Sequence, residues 1–75
     1  MEELMEILEE LRPDVDFEEE KGLIADGILD SFDIMSLVGS IDDEFDIKIK
    51  PNDLVAENFN SAESIWALIE RLMEE

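Results

Sequence analysis

Three stretches of this chain set apolar residues at helical spacing, and proline and glycine keep them apart. Leu4, Ile7, Leu8 and Leu11 fall at i, i+3, i+4 and i+7, the stripe of a helix of about three turns. Pro13 ends it, because the residue before a proline is pushed out of the helical region. Ile34, Leu37, Val38, Ile41 and Phe45 give a second helix its stripe. Lys50-Pro51 closes the next connector, and Pro51 is suited to open a short helical turn over residues 51–56. A last helix begins at Asn60 or Ser61, where Asn60 and Glu63 have capping-box spacing. Ala62, Ile65, Trp66, Ile69, Leu72 and Met73 line its apolar face, with Trp66 read as core. No segment alternates with a period of two, so strands are not expected. The spacing predicts an all-α fold, three main helices plus one short helix.

Residues 13–30 hold Pro13, Gly22 and Gly27 among scattered apolar residues: Val15, Phe17, Leu23, Ile24, Ile28 and Leu29. That pattern predicts a long first loop packed by its own side chains. No repeat, low-complexity linker or break in composition divides the chain, which reads as a single domain over residues 1–75. With no cysteine there is no disulfide framework, thiolate metal site or thiol nucleophile. Stability must come from a compact core, and 45% hydrophobic residues permit one although 37% are charged.

Charge narrows the possible partners. Twenty-three acidic residues against 5 basic ones give a formal net charge of −18. Nucleic acid binding rests on neutralising phosphates with Lys and Arg, and is excluded on that ground. Anionic lipid surfaces repel such a chain, and no apolar run approaches the ~18 residues that span a bilayer. Met1-Glu2-Glu3-Leu4 carries acids where a signal peptide needs positive charge, so a soluble, cytoplasmic and monomeric protein is expected. Its partners should carry basic patches, which would speed encounter.

Within this chain, Ser31 is the residue with two readings. A serine at a helix start commonly caps, its oxygen accepting a free backbone N–H. Asp30 is an equally good cap, and Asp33 supplies charge suited to the positive end of the helix dipole. If Asp30 caps, Ser31 is released, at a place where a helix N-terminus would stabilise a phosphate ester. Projected at about 100° per residue, Phe32, Met35 and Gly39 fall opposite the apolar stripe, with Asp42 and Asp43 close by. Exposed phenylalanine and methionine there make a protein-binding surface; the alternative is that they fold back under the long loop. Asp30, Phe32, Asp33, Met35, Asp42 and Asp43 are thus the expected partner-binding residues, with Ser31 at the border of the patch.

Catalysis by the chain itself is not expected. The sequence has no histidine to deprotonate Ser31 and no lysine beside it. Its carboxylate pairs read as solvated faces. A calcium loop fails: Asp14, Asp16 and Glu18 have the odd-position spacing, but Glu19 stands where glycine is required and Ala25 where the closing glutamate belongs. The Asp42-Asp43-Glu44 and Asp46 cluster reads as a solvated acidic helix end, so no metal site is expected.

The stretch "GLIADGILDSFDIMSLVGSIDDEFDIKI", residues 22–49, resembles the acyl carrier proteins. In that family a D-S-L motif opens the second helix, and a "hydrophobic–E–x–x–F–x–I–x–I" run follows its end. Asp30-Ser31-Phe32 and Glu44-Phe45-Asp46-Ile47-Lys48-Ile49 stand in those places, and "NFNSAESI" at 58–65 resembles the start of the family's last helix. The resemblance covers nearly the whole chain. It implies a small four-helix acyl-carrier-like bundle with no catalysis of its own. It also implies that a phosphopantetheinyl transferase moves 4′-phosphopantetheine from coenzyme A onto Ser31, whose arm then carries acyl groups as thioesters. Phe32 stands where the family most often has leucine, and Ser36 where a partner-reading glutamate is usual. Those departures point toward a specialised carrier, similar to stand-alone members such as the D-alanyl carrier protein, which an adenylate-forming ligase loads. Acyl-transferring or synthase enzymes are the other expected partners. The rival reading is a non-covalent acidic interaction module in which Ser31 is only a cap.

Overall fold

A computed structural model describes residues 2–74. Four helices follow in order: α1 (Glu2–Leu11), α2 (Ser31–Phe45), α3 (Ala56–Phe59) and α4 (Ala62–Glu74), with a 3-10 turn at Pro51–Asp53 before α3. Among the described residues there is no strand. The fold is the all-helical bundle that the three stripes predict. Helix α1 packs on α2 and α4, and α3 lies against α4. The radius of gyration is 11.1 Å, against about 11 Å for a compact chain of this length.

Each stripe supplies the residues that close the core. Leu4 and Leu8 come from α1, Leu37 and Ile41 from α2, and Ile65, Leu68 and Ile69 from α4, all essentially inaccessible. Ile34, Val38 and Phe45 are half-buried and pack against that cluster, as does Trp66. Trp66 meets Phe45 edge to face, ring centres 5.8 Å apart and planes at 67°, a favoured aromatic geometry. Met73, expected on the inner face of α4, is instead exposed. It sits in the last turn at the edge of the apolar arc, and Leu68 takes a fully buried place on that face.

Two local expectations change. The single turn expected over 51–56 is broken in two, because Val55, a β-branched residue, takes an extended conformation (φ −119°, ψ 152°). The break separates Pro51–Asp53 from α3 and lets α3 carry Phe59 into the core. At α4 the cap is Ser61, whose Oγ accepts the Ser64 amide at 3.1 Å. The Asn60–Glu63 pair does not form the capping box, because both groups are committed to the first loop. Asn60 Oδ1 accepts the amides of Ile24 and Ala25 at 3.0 and 2.9 Å, and its carbonyl accepts that of Leu23 at 2.8 Å. Glu63 pairs with Lys21.

The long loop of residues 12–30 is therefore ordered from both sides. Phe17, Leu23 and Leu29 are buried, each contributing about 1.5–3 kcal/mol of apolar burial. Gly27, at φ +72°, turns the chain where an L side chain would be strained. The Leu29 amide then returns to the Leu23 carbonyl at 2.9 Å. This folded-back loop delivers residues 28–30 to the start of α2.

Candidate functional site at the start of α2

Asp30 is the N-cap of α2. Its backbone is extended (φ −101°, ψ −175°), and its Oδ1 accepts the Asp33 amide at 2.9 Å. Asp33 completes the capping box by accepting the Asp30 amide on Oδ2 at 3.2 Å. Ser31 is the first helical residue and is exposed. Among the described residues its hydroxyl has no hydrogen-bond partner, so the oxygen is uncommitted. The first N–H groups of a helix have no partner inside it, and they give that end partial positive charge. An exposed hydroxyl at such an end can take a phosphate ester without burying its charge, and the helix N-terminus favours that charge.

Four more serines clarify what is special about Ser31. Ser61 and Ser64 are tied together at the head of α4, Ser61 Oγ donating to Ser64 Oγ at 3.0 Å. Ser36 and Ser40 are exposed but lie within α2, away from its N-terminus. Only Ser31 combines exposure with the head of a long helix.

The residues expected to meet a partner divide into two groups. Phe32 and Met35 are 81% and 72% exposed; they do not fold back under the loop. Gly39 is exposed on the same helix, and a Cβ there would meet nothing within 4 Å. Asp43 is exposed as well. Asp33 and Asp42 have internal duties. The Asp33 side chain is only 17% exposed, and its Oδ2 accepts Arg12 Nη1 at 3.1 Å as well as the Asp30 amide. Asp42 Oδ1 accepts the Ile49 amide at 3.0 Å, fastening the chain after α2. Of the acids expected there, Asp30 and Asp43 are the exposed ones.

Arg12 is a site residue that reading the sequence missed. It follows the last residue of α1, and its Nη1 donates both to Asp33 Oδ2 and to the Ile28 carbonyl at 3.0 Å. Its Nε and Nη2 also reach the two oxygens of Asp14, each at 3.3 Å. The hydrogen bonds from Arg12 hold the Asp14 carboxyl below its ordinary pKa. Glu63 is likewise lowered, chiefly by its hydrogen bond from Lys21. The only signal in the sequence was that Arg12 is the first of just five cations.

Hollows flank the helices. One turn on from Ser31, Ile34 lines an apolar cleft of about 110 Å³ with Ile24, Leu54, Val55, Ala56 and Phe59. Residues three apart on a helix share a face, so the cleft opens on the side of α2 that carries Ser31. A larger hollow, about 930 Å³, lies between α1 and residues 13–18, and does not include Ser31. Among the described residues, no group of three or more acidic side chains is arranged to hold a metal ion, and no helix is long and apolar enough to cross a membrane. No protein-family model, curated protein or solved structure matches this chain.

Proposed function

We propose that this protein is an acyl carrier whose functional group is a 4′-phosphopantetheine arm, transferred from coenzyme A onto Ser31. One observation carries the reading: Asp30 caps α2, leaving the Ser31 hydroxyl exposed and unbonded at the helix head. The resemblance of residues 22–49 to the acyl carrier proteins gives that hydroxyl its chemistry. The arm's terminal thiol, when attached, supplies the thioester chemistry that a chain without cysteine lacks.

The chain's own residues would hold the phosphodiester at the positive end of α2 and present it beside the cleft under Ile34. Phe32 and Met35 would seat the transferase, the loading ligase and the accepting enzymes, with Asp43 steering basic patches on them. Catalysis would belong to those partners, since the chain has no histidine, and no lysine beside the serine, to activate it. Phe32 in place of the family's leucine and Ser36 in place of its partner-reading glutamate favour a specialised carrier of acyl or aminoacyl groups. Incubation with a phosphopantetheinyl transferase and coenzyme A tests the reading. One arm should be added to the native chain and none to Ser31→Ala. An unmodified native chain would leave the exposed Phe32 and Met35 as a purely non-covalent docking face.

A further inference from the structure

We propose that Arg12 is a positioning residue for Ser31. It would hold residues 28–33 in the one conformation that offers the hydroxyl to an incoming enzyme. The inference rests on the carrier reading and deepens it. The Leu29–Leu23 bond and the Asp30–Asp33 capping box shape this segment locally, and the Arg12 guanidinium ties its two sides together. Nη1 grips the Ile28 carbonyl, three residues before Ser31, and the Asp33 carboxylate, two residues after it. The same Asp33 oxygen accepts the Asp30 amide, and Asp30 returns a bond to the Asp33 amide. A single donor atom thus spans Ser31 from both sides and anchors it to α1. Nε and Nη2 brace the guanidinium from the other direction through Asp14. Among the described residues no other cation touches this segment; Lys21 and Arg71 pair elsewhere.

The chemistry makes such positioning matter. In the transfer, Ser31 Oγ forms a bond to a phosphorus of coenzyme A and the pyrophosphate P–O bond breaks. The adenosine bisphosphate leaves, and the serine proton passes to a base of the transferase. Attack of this kind needs the oxygen held in line with the breaking bond, and a misplacement of about 1 Å lowers the rate by orders of magnitude. Docking depends on Phe32 and Met35 further along α2, which Arg12 does not touch. Loss of Arg12 should therefore slow the committed step more than it weakens binding. Lysine keeps the charge but has a single nitrogen, so it cannot hold Ile28 and Asp33 while separate nitrogens brace it on Asp14.

The test measures kcat and KM for arm transfer with Arg12→Gln, Arg12→Lys and Lys48→Gln. The last removes an exposed cation away from the site. Arg12→Gln should lower kcat about tenfold with KM changed by less than about twofold, Arg12→Lys should fall between, and Lys48→Gln should leave kcat unchanged. Amide exchange should quicken at Asp30 and Asp33 in Arg12→Gln but not at Ile65 and Ile69 in α4. Should Arg12→Gln unfold, Arg12→Lys against native protein carries the same comparison. A native kcat in Arg12→Gln overturns the proposal, as does a loss confined to KM and shared with Lys48→Gln. Faster exchange spread through α4 would make Arg12 merely structural and also overturns it. Those three results leave the carrier reading standing. Failure of the native chain to accept the arm removes that reading, and this inference with it.

Discussion

Replacing Asp30 and Ser31 in turn by alanine asks which side chain caps α2. Asp30→Ala removes the oxygen that accepts the Asp33 amide at 2.9 Å. It leaves the reverse bond, from the Asp30 amide to Asp33, intact. Loss of such a cap costs about 1 kcal/mol, within a range of about 0.5–2. For a chain of 75 residues, an unfolding entropy of about 2.1 cal/mol/K per residue means that ~1 kcal/mol lowers Tm by ~6 °C. Ser31→Ala removes an exposed hydroxyl with no partner, so its effect should stay within about 0.5 kcal/mol, or ~3 °C. Thermal melts followed by far-ultraviolet circular dichroism, at one fixed ionic strength, resolve that difference. A drop for Ser31→Ala equal to or larger than that for Asp30→Ala would make the serine the cap. The hydroxyl would then be engaged in holding the helix rather than free for attachment.

Asn60→Ala should destabilise the fold by about 1–2 kcal/mol, since it orphans the amides of Ile24 and Ala25; hydrogen exchange should quicken at those two amides first. Phe32→Ala should weaken the complex with a transferase or ligase by about 1–2 kcal/mol regardless of salt, whereas Asp43→Lys should slow association at low salt and recover at high salt. Asp33→Lys is the poorer probe of steering, because it also breaks the capping box and the Arg12 pair. With a net charge of −18, magnesium or calcium should raise Tm more than sodium at equal ionic strength. In low salt Tm should rise from pH 7 toward about pH 5, where carboxylates begin to take protons and repulsion relaxes. Asp14 and Glu63 are lowered in the fold, so the stability they lend is present above their unfolded pKa values. It is lost as pH falls through the folded ones, and Tm should turn down below about pH 4. A Tm flat across salt and pH would show that the acids are too well solvated to matter.

Legibility in the sequence followed the range of the interaction. The helices were readable because Leu4 and Leu8, Leu37 and Ile41, or Ile65 and Ile69 lie within one turn or so of each other and share a face. Asp30 as a cap was readable for the same reason, as its partner is three residues away. Asn60 was misread as a local cap. Its amide is used 35 and 36 residues back along the chain, a pairing that only the folded loop creates. Arg12 is the same case, reaching Asp33 across 21 residues. The split at Val55 was hidden because Pro51 signals a helical start but says nothing of where the turn stops. Around the site, the exposure of Phe32 and Met35 followed from the projection of α2. The internal duties of Asp33 and Asp42 did not, because an acidic residue on a helix looks the same in sequence whether it faces solvent or a backbone amide.

The most direct measurement is fragment mass spectrometry on the native protein after reaction with coenzyme A and a phosphopantetheinyl transferase. It can tell Ser31 from the other exposed serines, Ser36 and Ser40. The expected result is a single arm, on the fragment containing Ser31 and on that residue alone, with no addition anywhere in Ser31→Ala. An arm on Ser36 or Ser40, or a native chain that accepts none, would contradict the assignment of Ser31 as the attachment site.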